Sequence, residues 1–227
     1  MRCREDLPDS VRSRIDGNLT ASAEHWQEVK SAYIEAATAF QATGLEYVVL
    51  KGFSHCPLLV DEPHHRWQGD IDLLFSDDQL AAARDAALQL GYEPITPFDR
   101  HPINHLPTLV RKTGWEWRGD HFDPHIPVSL ELHFQFWDAG TERFGPSGLE
   151  KFWERRETHE VDQVRFVSFH PADVAANAAL HMLWHLLRGS LRPFHVYELA
   201  WFLHNRSGDT AFWNVWEIGR ASCRERV

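Results

Sequence analysis

The chain has 227 residues, 43% of them hydrophobic and 25% charged, which is close to the soluble globular average and excludes wholesale disorder, a collagen repeat and a disulfide scaffold. Its 23 basic and 33 acidic side chains leave a formal charge of -10, the opposite of the balance that binding through many phosphates demands, so no bulk nucleic-acid partner is expected. No apolar run approaches the roughly 20 residues of a membrane helix, and the opening Met1-Arg2-Cys3-Arg4-Glu5-Asp6 lacks the apolar stretch of a signal peptide. No membrane association is expected, and the cytoplasm is the expected location. Cys3, Cys56 and Cys223 are odd in number and widely spaced, which fits neither a disulfide framework nor a paired-cysteine metal knuckle.

From Ser22 to Gln41, the residues Trp26, Val29, Tyr33, Ala37 and Phe40 recur at three- and four-residue steps, the stripe of an amphipathic helix that Gly44 closes. Tyr47-Val48-Val49-Leu50 is an apolar, partly β-branched run between Gly44 and Gly52 and predicts a buried strand. Phe53 to Val60 reads as a brief helix, and Asp61 to Gln68, with Pro63 and two histidines, as a loop. Asp70 to Phe75 predicts a second strand. Ser76-Asp77-Asp78 is placed to cap a helix with Leu80, Ala83, Ala87 and Leu90 on its apolar side, ended by Gly91. Strands are expected again at about Thr108 to Lys112 and at Val128 to Phe136, where Val128, Leu130, Leu132, Phe134 and Phe136 alternate with Ser129, Glu131, His133 and Gln135. After Gly148 the pattern turns helical. Helices are expected from Pro171 to Leu187 and from Arg192 to Asn205, packed by Trp184, Trp201, Trp213 and Trp216.

This pattern divides into an N-terminal helical segment (1–45), an α/β core (46–140) and a C-terminal helical module (141–216). The closing stretch Glu217 to Val227 resembles a translated sequencing-library adapter, so 217–227 is set aside as a non-native tail and the native chain is expected to continue past Trp216. The acidic excess survives its removal.

The acids carry the chemistry. Asp70 and Asp72 lie two positions apart in a strand, so they leave on one face with Cα atoms about 6.6 Å apart at a rise of about 3.3 Å per residue. At an effective dielectric of about 20 their charges repel by about 2.5 kcal/mol, which calls for a cation between them. Hard divalent ions prefer carboxylate oxygens, and Mg²⁺ is held by one or two carboxylates together with substrate phosphates. Glu131, the acid inside an otherwise apolar alternating strand, is the candidate third member of such a cradle.

Leu50-Lys51-Gly52, Arg66, Gly69-Asp70-Ile71-Asp72-Leu73-Leu74, the helix end Leu90-Gly91-Tyr92 and Leu130-Glu131-Leu132-His133 together resemble the uncharacterised bacterial nucleotidyltransferases of the DNA polymerase β superfamily, from about Arg12 to Leu203. The resemblance implies an α+β fold with a short mixed sheet, helices packed on one face, and helical segments at both ends. It implies a nucleoside triphosphate and Mg²⁺, or Mn²⁺ in its place, as ligands. The implied reaction is nucleotidyl transfer onto a small-molecule, sugar or protein acceptor with release of pyrophosphate. Carried over by position, Asp70, Asp72 and Glu131 are the catalytic and metal-binding acids, and Lys51, Gly52, Ser54 and Arg66 bind nucleotide. Lys51-Gly52 stands where the superfamily has a small-residue doublet, and the gap to Asp70 is long. Elementary chemistry agrees with the turn: a glycine ending a strand lets backbone amides approach phosphates, a lysine adds a point charge, and a guanidinium suits bidentate phosphate contact.

Other readings stand beside these. Glu131 also suits the exposed face of an amphipathic strand, Lys51 a surface or ion-paired lysine, Arg66 a salt bridge, and His133 a structural histidine. His181 and His185 share one helix face at i, i+4 spacing, but the zincin signature lacks its glutamate there, so they read as core or acceptor-site residues. The competing functions are a histidine-based metal hydrolase and a catalytically silent nucleotide-binding or scaffold protein of the same fold.

Overall fold

A computed structural model describes residues 6–99 and 104–214; Trp216 and the tail 217–227 lie outside them. The first helix, α1 (Asp9–Ala42), buries Ser22, His25, Trp26, Val29, Tyr33, Ala36, Ala37 and Phe40 along one stripe. It begins well before the expected start, because its first turns are held by local hydrogen bonds while Val11, Ile15 and Leu19 stay exposed and carry no core signal. Gly44, at φ +71°, ends it: the Gly44 N–H donates to the Gln41 carbonyl and the Leu45 N–H to that of Phe40, a Schellman motif.

Strands β1 (Tyr47–Val49), β2 (Asp70–Phe75), β3 (Glu93–Pro94), β4 (Leu109–Val110), β5 (Ser129–His133), β6 (Glu157–Val161) and β7 (Val164–Ser168) form one mixed sheet in the order β3-β4-β5-β2-β1-β7-β6. Strand β1 runs antiparallel to β2 and parallel to β7, while β2 and β5 run parallel with Asp70 opposite Ser129, Asp72 opposite Glu131 and Leu74 opposite His133. Helix α2 (Leu80–Gln89) follows β2, the short α3 (Ala139–Glu142) follows β5, and α4 (Pro171–Leu187) and α5 (Pro193–Arg206) follow β7. No helix of the described residues is long and apolar enough to cross a membrane.

Side-chain alternation divides the sheet into two faces. Tyr47, Val49, Ile71, Leu73, Phe75, Leu130 and Leu132 pack with α1 and α2, the expected helices on one face. On the other side Val48, Leu50 and Leu74 pack with Phe169 and with Ala172, Val174, Ala175 and Phe202 of α4 and α5. Trp213 joins this second cluster through Phe202 and Phe212, as expected of the C-terminal tryptophans, whereas Trp184 lies under the Arg188 guanidinium.

Three local expectations are corrected. The helix expected over Phe53 to Val60 is a single 3-10 turn, Gly52–His55, since Pro57 has no N–H to offer and drives Cys56 into extended backbone. Ser76-Asp77-Asp78 forms a turn, and α2 begins after Gln79 with no side-chain cap. The hairpin β6–β7 was not expected at all. Its turn residues Asp162 and Gln163 have φ of +47° and +67°, as a two-residue type I′ turn requires, but neither is the glycine that signals one. Asp162 is held there by the Trp26 indole at 2.9 Å and by Lys30 at 3.0 Å.

Helix α5 is tied back to the β1–β2 connection by Glu198, which accepts from Arg66 Nε at 2.6 Å and lies 3.5 Å from His55 Nδ1. Burial alone pushes the Glu198 carboxyl up, yet His55 and Arg66 outweigh it and bring the carboxyl down to about 2.

A carboxyl depressed in the folded state contributes stability that is complete above its ordinary value of 4.5 and is lost as pH falls toward about 2. At about 1.4 kcal/mol per pH unit the loss is of order 3 kcal/mol. Urea unfolding at pH 5 and at pH 2.5 should therefore show Glu198→Gln losing less stability between the two than wild type. In the β6–β7 turn, Gln163→Gly relieves the left-handed strain and should raise stability by up to about 1 kcal/mol, or roughly 2–4 °C in Tm.

Candidate active site

Strand β2 presents Asp70 and Asp72, and β5 presents Ser129, Glu131 and His133, on the face opposite the α1/α2 core. Asp72 and Glu131 are Cα partners on adjacent strands, so their carboxylates meet. A ligand atom from each of Asp72, Glu131 and His133 lies within 4.8 Å of the others. Asp70 shares the face and their field but is not in that tight group; it sits one pleat away, opposite Ser129.

Two cationic groups converge on one oxygen of Asp72: Lys51 Nζ is 2.8 Å and His133 Nε2 2.9 Å from Oδ1. Burial alone raises the Asp72 carboxyl, but Lys51 and His133 hold it far below the usual carboxylate range. Asp70 goes the other way, pushed up to about 6 by burial and by the Asp72 charge, with Lys51 opposing. Burial likewise works against the charged forms of Glu131, His133 and Lys51. The His133 hydrogen bond nevertheless keeps Glu131 below its ordinary value, and the surrounding carboxylates keep His133 and Lys51 above theirs. Glu131 Oε1 also accepts from the Thr108 hydroxyl at 2.9 Å.

The nucleotide-binding expectations fall on a connection that is tightly packed. Gly52 has φ +71°, and a Cβ there would lie 2.4 Å from Gln68 Oε1, so the turn requires glycine for its backbone and for this close approach. Gln68 in turn donates to the Asp70 carbonyl at 2.8 Å. The Ser54 hydroxyl donates to the Lys51 carbonyl at 3.1 Å. Arg66 is paired with Glu198 and stacked on Phe194, with 10% of its side chain exposed, while its charge reaches Asp70.

The residues present fit a hard divalent cation. Asp72 and Glu131 offer carboxylate oxygens beside the His133 ring, and Asp70 leaves the same face one pleat away, a donor set in which oxygen predominates. Asp70, Asp72 and Glu131 offer the oxygen ligands.

His133, which the sequence places on the face of Glu131 as a structural histidine, is buried with Nε2 2.9 Å from Asp72 Oδ1. Glu198, His55 and His195 were not singled out. Their proximity follows from how α5 folds back, and no local pattern encodes it. Helix α5 also brings His195 against His181 and His185 of α4.

Among curated proteins none matches this sequence. The crystal structure of an antigenic nucleotidyltransferase-like protein from Paracoccidioides brasiliensis is similar at 16% identity and a TM-score of 0.44, over 75% of this chain and 74% of that one. A family model described as uncharacterised nucleotidyltransferase matches residues 1–224. With nearly its whole length matched, the chain belongs to this nucleotidyltransferase family.

Proposed function

We propose that this nucleotidyltransferase moves a nucleoside monophosphate from a nucleoside triphosphate onto a small-molecule, sugar or protein acceptor in a reaction that depends on Mg²⁺, with Mn²⁺ as a substitute. The observation that carries the reading is the register of β2 against β5, which sets Asp72 beside Glu131 with His133 between them and Lys51 on Asp72. The acceptor hydroxyl attacks the α-phosphorus, the bond to the bridging oxygen of the β-phosphate breaks, and pyrophosphate leaves with the electron pair. Glu131 takes the acceptor proton. Lys51 and the turn Gly52 to Ser54 hold the phosphates. Arg66, whose Nε is committed to Glu198, meets them through its terminal nitrogens. His133 positions Asp72. An ion held by Asp70, Asp72 and Glu131 supplies charge neutralisation to the phosphates. Positioning and electrostatics carry the rate. The acidic chain, at -10, disfavours long nucleic acid as acceptor, and the cytoplasm is the location we assign.

One observation favours a silent nucleotide-binding or scaffold protein instead: Lys51 is engaged by Asp72, Ser54 by its own turn, and the space beside Gly52 by Gln68. Thermal unfolding separates the readings. A triphosphate with Mg²⁺ at about 100 times its dissociation constant should stabilise the chain by about 2.7 kcal/mol, or roughly 5–10 °C for this length. No shift with any triphosphate would favour the silent scaffold reading, and a shift without any transfer of label would favour the silent nucleotide-binding one.

With labelled triphosphate and a lysate supplying acceptors, Asp72→Asn and Glu131→Gln should each lower transfer of label by at least about 100-fold while circular dichroism stays native. Chelating the divalent ions should abolish transfer, and Mg²⁺ should restore it. Full transfer by the Asp72→Asn protein would overturn the assignment.

A further inference from the structure

The C-terminal helices carry a second group of metal-ligating side chains that the proposed transfer does not use. His181 and His185 are one turn apart on α4, and the short connection through Gly189 returns the chain so that His195, in the first turn of α5, closes on both. Each of the three rings offers a nitrogen within 4.8 Å of the other two. His181 Nε2 and His185 Nε2 face each other at 3.1 Å. The two nitrogens share a hydrogen bond at that distance; tetrahedral ligands at about 2.0–2.1 Å from a zinc ion lie about 3.3 Å apart, so an ion replacing the shared proton requires little movement of either ring.

We propose that His181, His185 and His195 bind one transition-metal ion of the zinc class, at a site separate from the carboxylates of β2 and β5. Three neutral imidazoles with soft-to-borderline nitrogen donors select zinc-like ions over magnesium, whose preference is for oxygen. The surroundings suit the role. His185 Nδ1 lies 2.9 Å from the Ser190 hydroxyl, a partner that, by accepting the Nδ1 proton, turns the Nε2 lone pair toward the shared space. The Arg192 N–H donates a long hydrogen bond of 3.4 Å to His195 Nδ1, whose acceptance leaves the ring proton on Nε2, so a metal on Nε2 displaces that proton and weakens this contact. Burial, together with nearby Lys51 and the neighbouring histidines, keeps the His181 ring neutral. The opposing charges are Lys51, Arg188 and Arg192. Arg188 is neutralised by Glu142 at 2.6 and 3.0 Å and lies over Trp184. Three protein ligands leave a fourth coordination position, the arrangement of zinc sites that bind a water or substrate oxygen.

The ion would join α4 to α5, the helix whose Glu198 holds Arg66, and His181 feels the charges of Lys51 and Asp72. The site therefore borders the proposed transfer centre without depending on it.

The test titrates the full, metal-stripped chain with Co²⁺ and then Zn²⁺ in excess Mg²⁺, which occupies oxygen-ligand sites. One equivalent of Co²⁺ should bind with the intense visible bands of a nitrogen-ligated four-coordinate ion, and Zn²⁺ should displace it. Asp72→Asn and Glu131→Gln chains should keep the bands, His185→Gln and His195→Gln should lose them, and Ser190→Ala should weaken binding about tenfold. Absence of a stoichiometric Co²⁺ band in wild type overturns the site, whether or not the histidine variants fold. Bands that survive His195→Gln but vanish in Glu131→Gln overturn it as well, by placing the ion on the carboxylates.

Discussion

The parallel pairing of β2 with β5 is the constraint on which the carboxylate group depends. Leu130 and Leu132 are completely buried against the α1/α2 core, and burial of each contributes about 1.5–3 kcal/mol. Strand side chains alternate, so a slip of one residue would expose both leucines and drive Glu131 and His133 into that core. The apolar side of β5 thereby selects the register that sets Glu131 opposite Asp72. A chemical arrangement on one face of the sheet is held in place by packing on the other.

That arrangement is electrostatically costly. Removing charges from water costs several kcal/mol per ion, recovered only where geometry and hydrogen bonds are good. Asp72 has such geometry, with Lys51 and His133 both on Oδ1. Asp70 does not, and its carboxyl is pushed up to about 6. Asp72 is firmly ionised because Lys51 and His133 offset its burial, whereas Asp70 is raised by its burial and by the Asp72 charge, against which Lys51 acts only in part. A hard cation would redistribute that balance, which is the physical content of the magnesium proposal.

The other face of the sheet at β1 is covered by α4 and α5, and the cover is specific as well as apolar. Asn177 of α4 donates to the Leu50 carbonyl at 3.2 Å, just before Lys51, and Glu198 of α5 fixes Arg66 just before β2. The C-terminal helices thus hold both ends of the connection from Lys51 to Asp70. The same helices bring three histidines together, so a metal ion there would stiffen the elements that position the turn.

The strands around the acids were legible in the sequence because short-range patterns encode them: β-branched and apolar runs for β1 and β2, strict alternation for β5, and the i, i+3, i+4 stripe of α1. The spacing of Asp70 and Asp72, and of Glu131 and His133, determined by itself that each pair leaves a strand on one face. Which pair meets which was decided by strand order and register, products of long-range hydrophobic packing. The β6–β7 hairpin escaped notice because its turn uses Asp162 and Gln163 in left-handed backbone that only their tertiary setting stabilises. The partners of Lys51, Arg66 and His195 come from residues far along the chain, so contact among them exists only once sheet and helices have closed around one another.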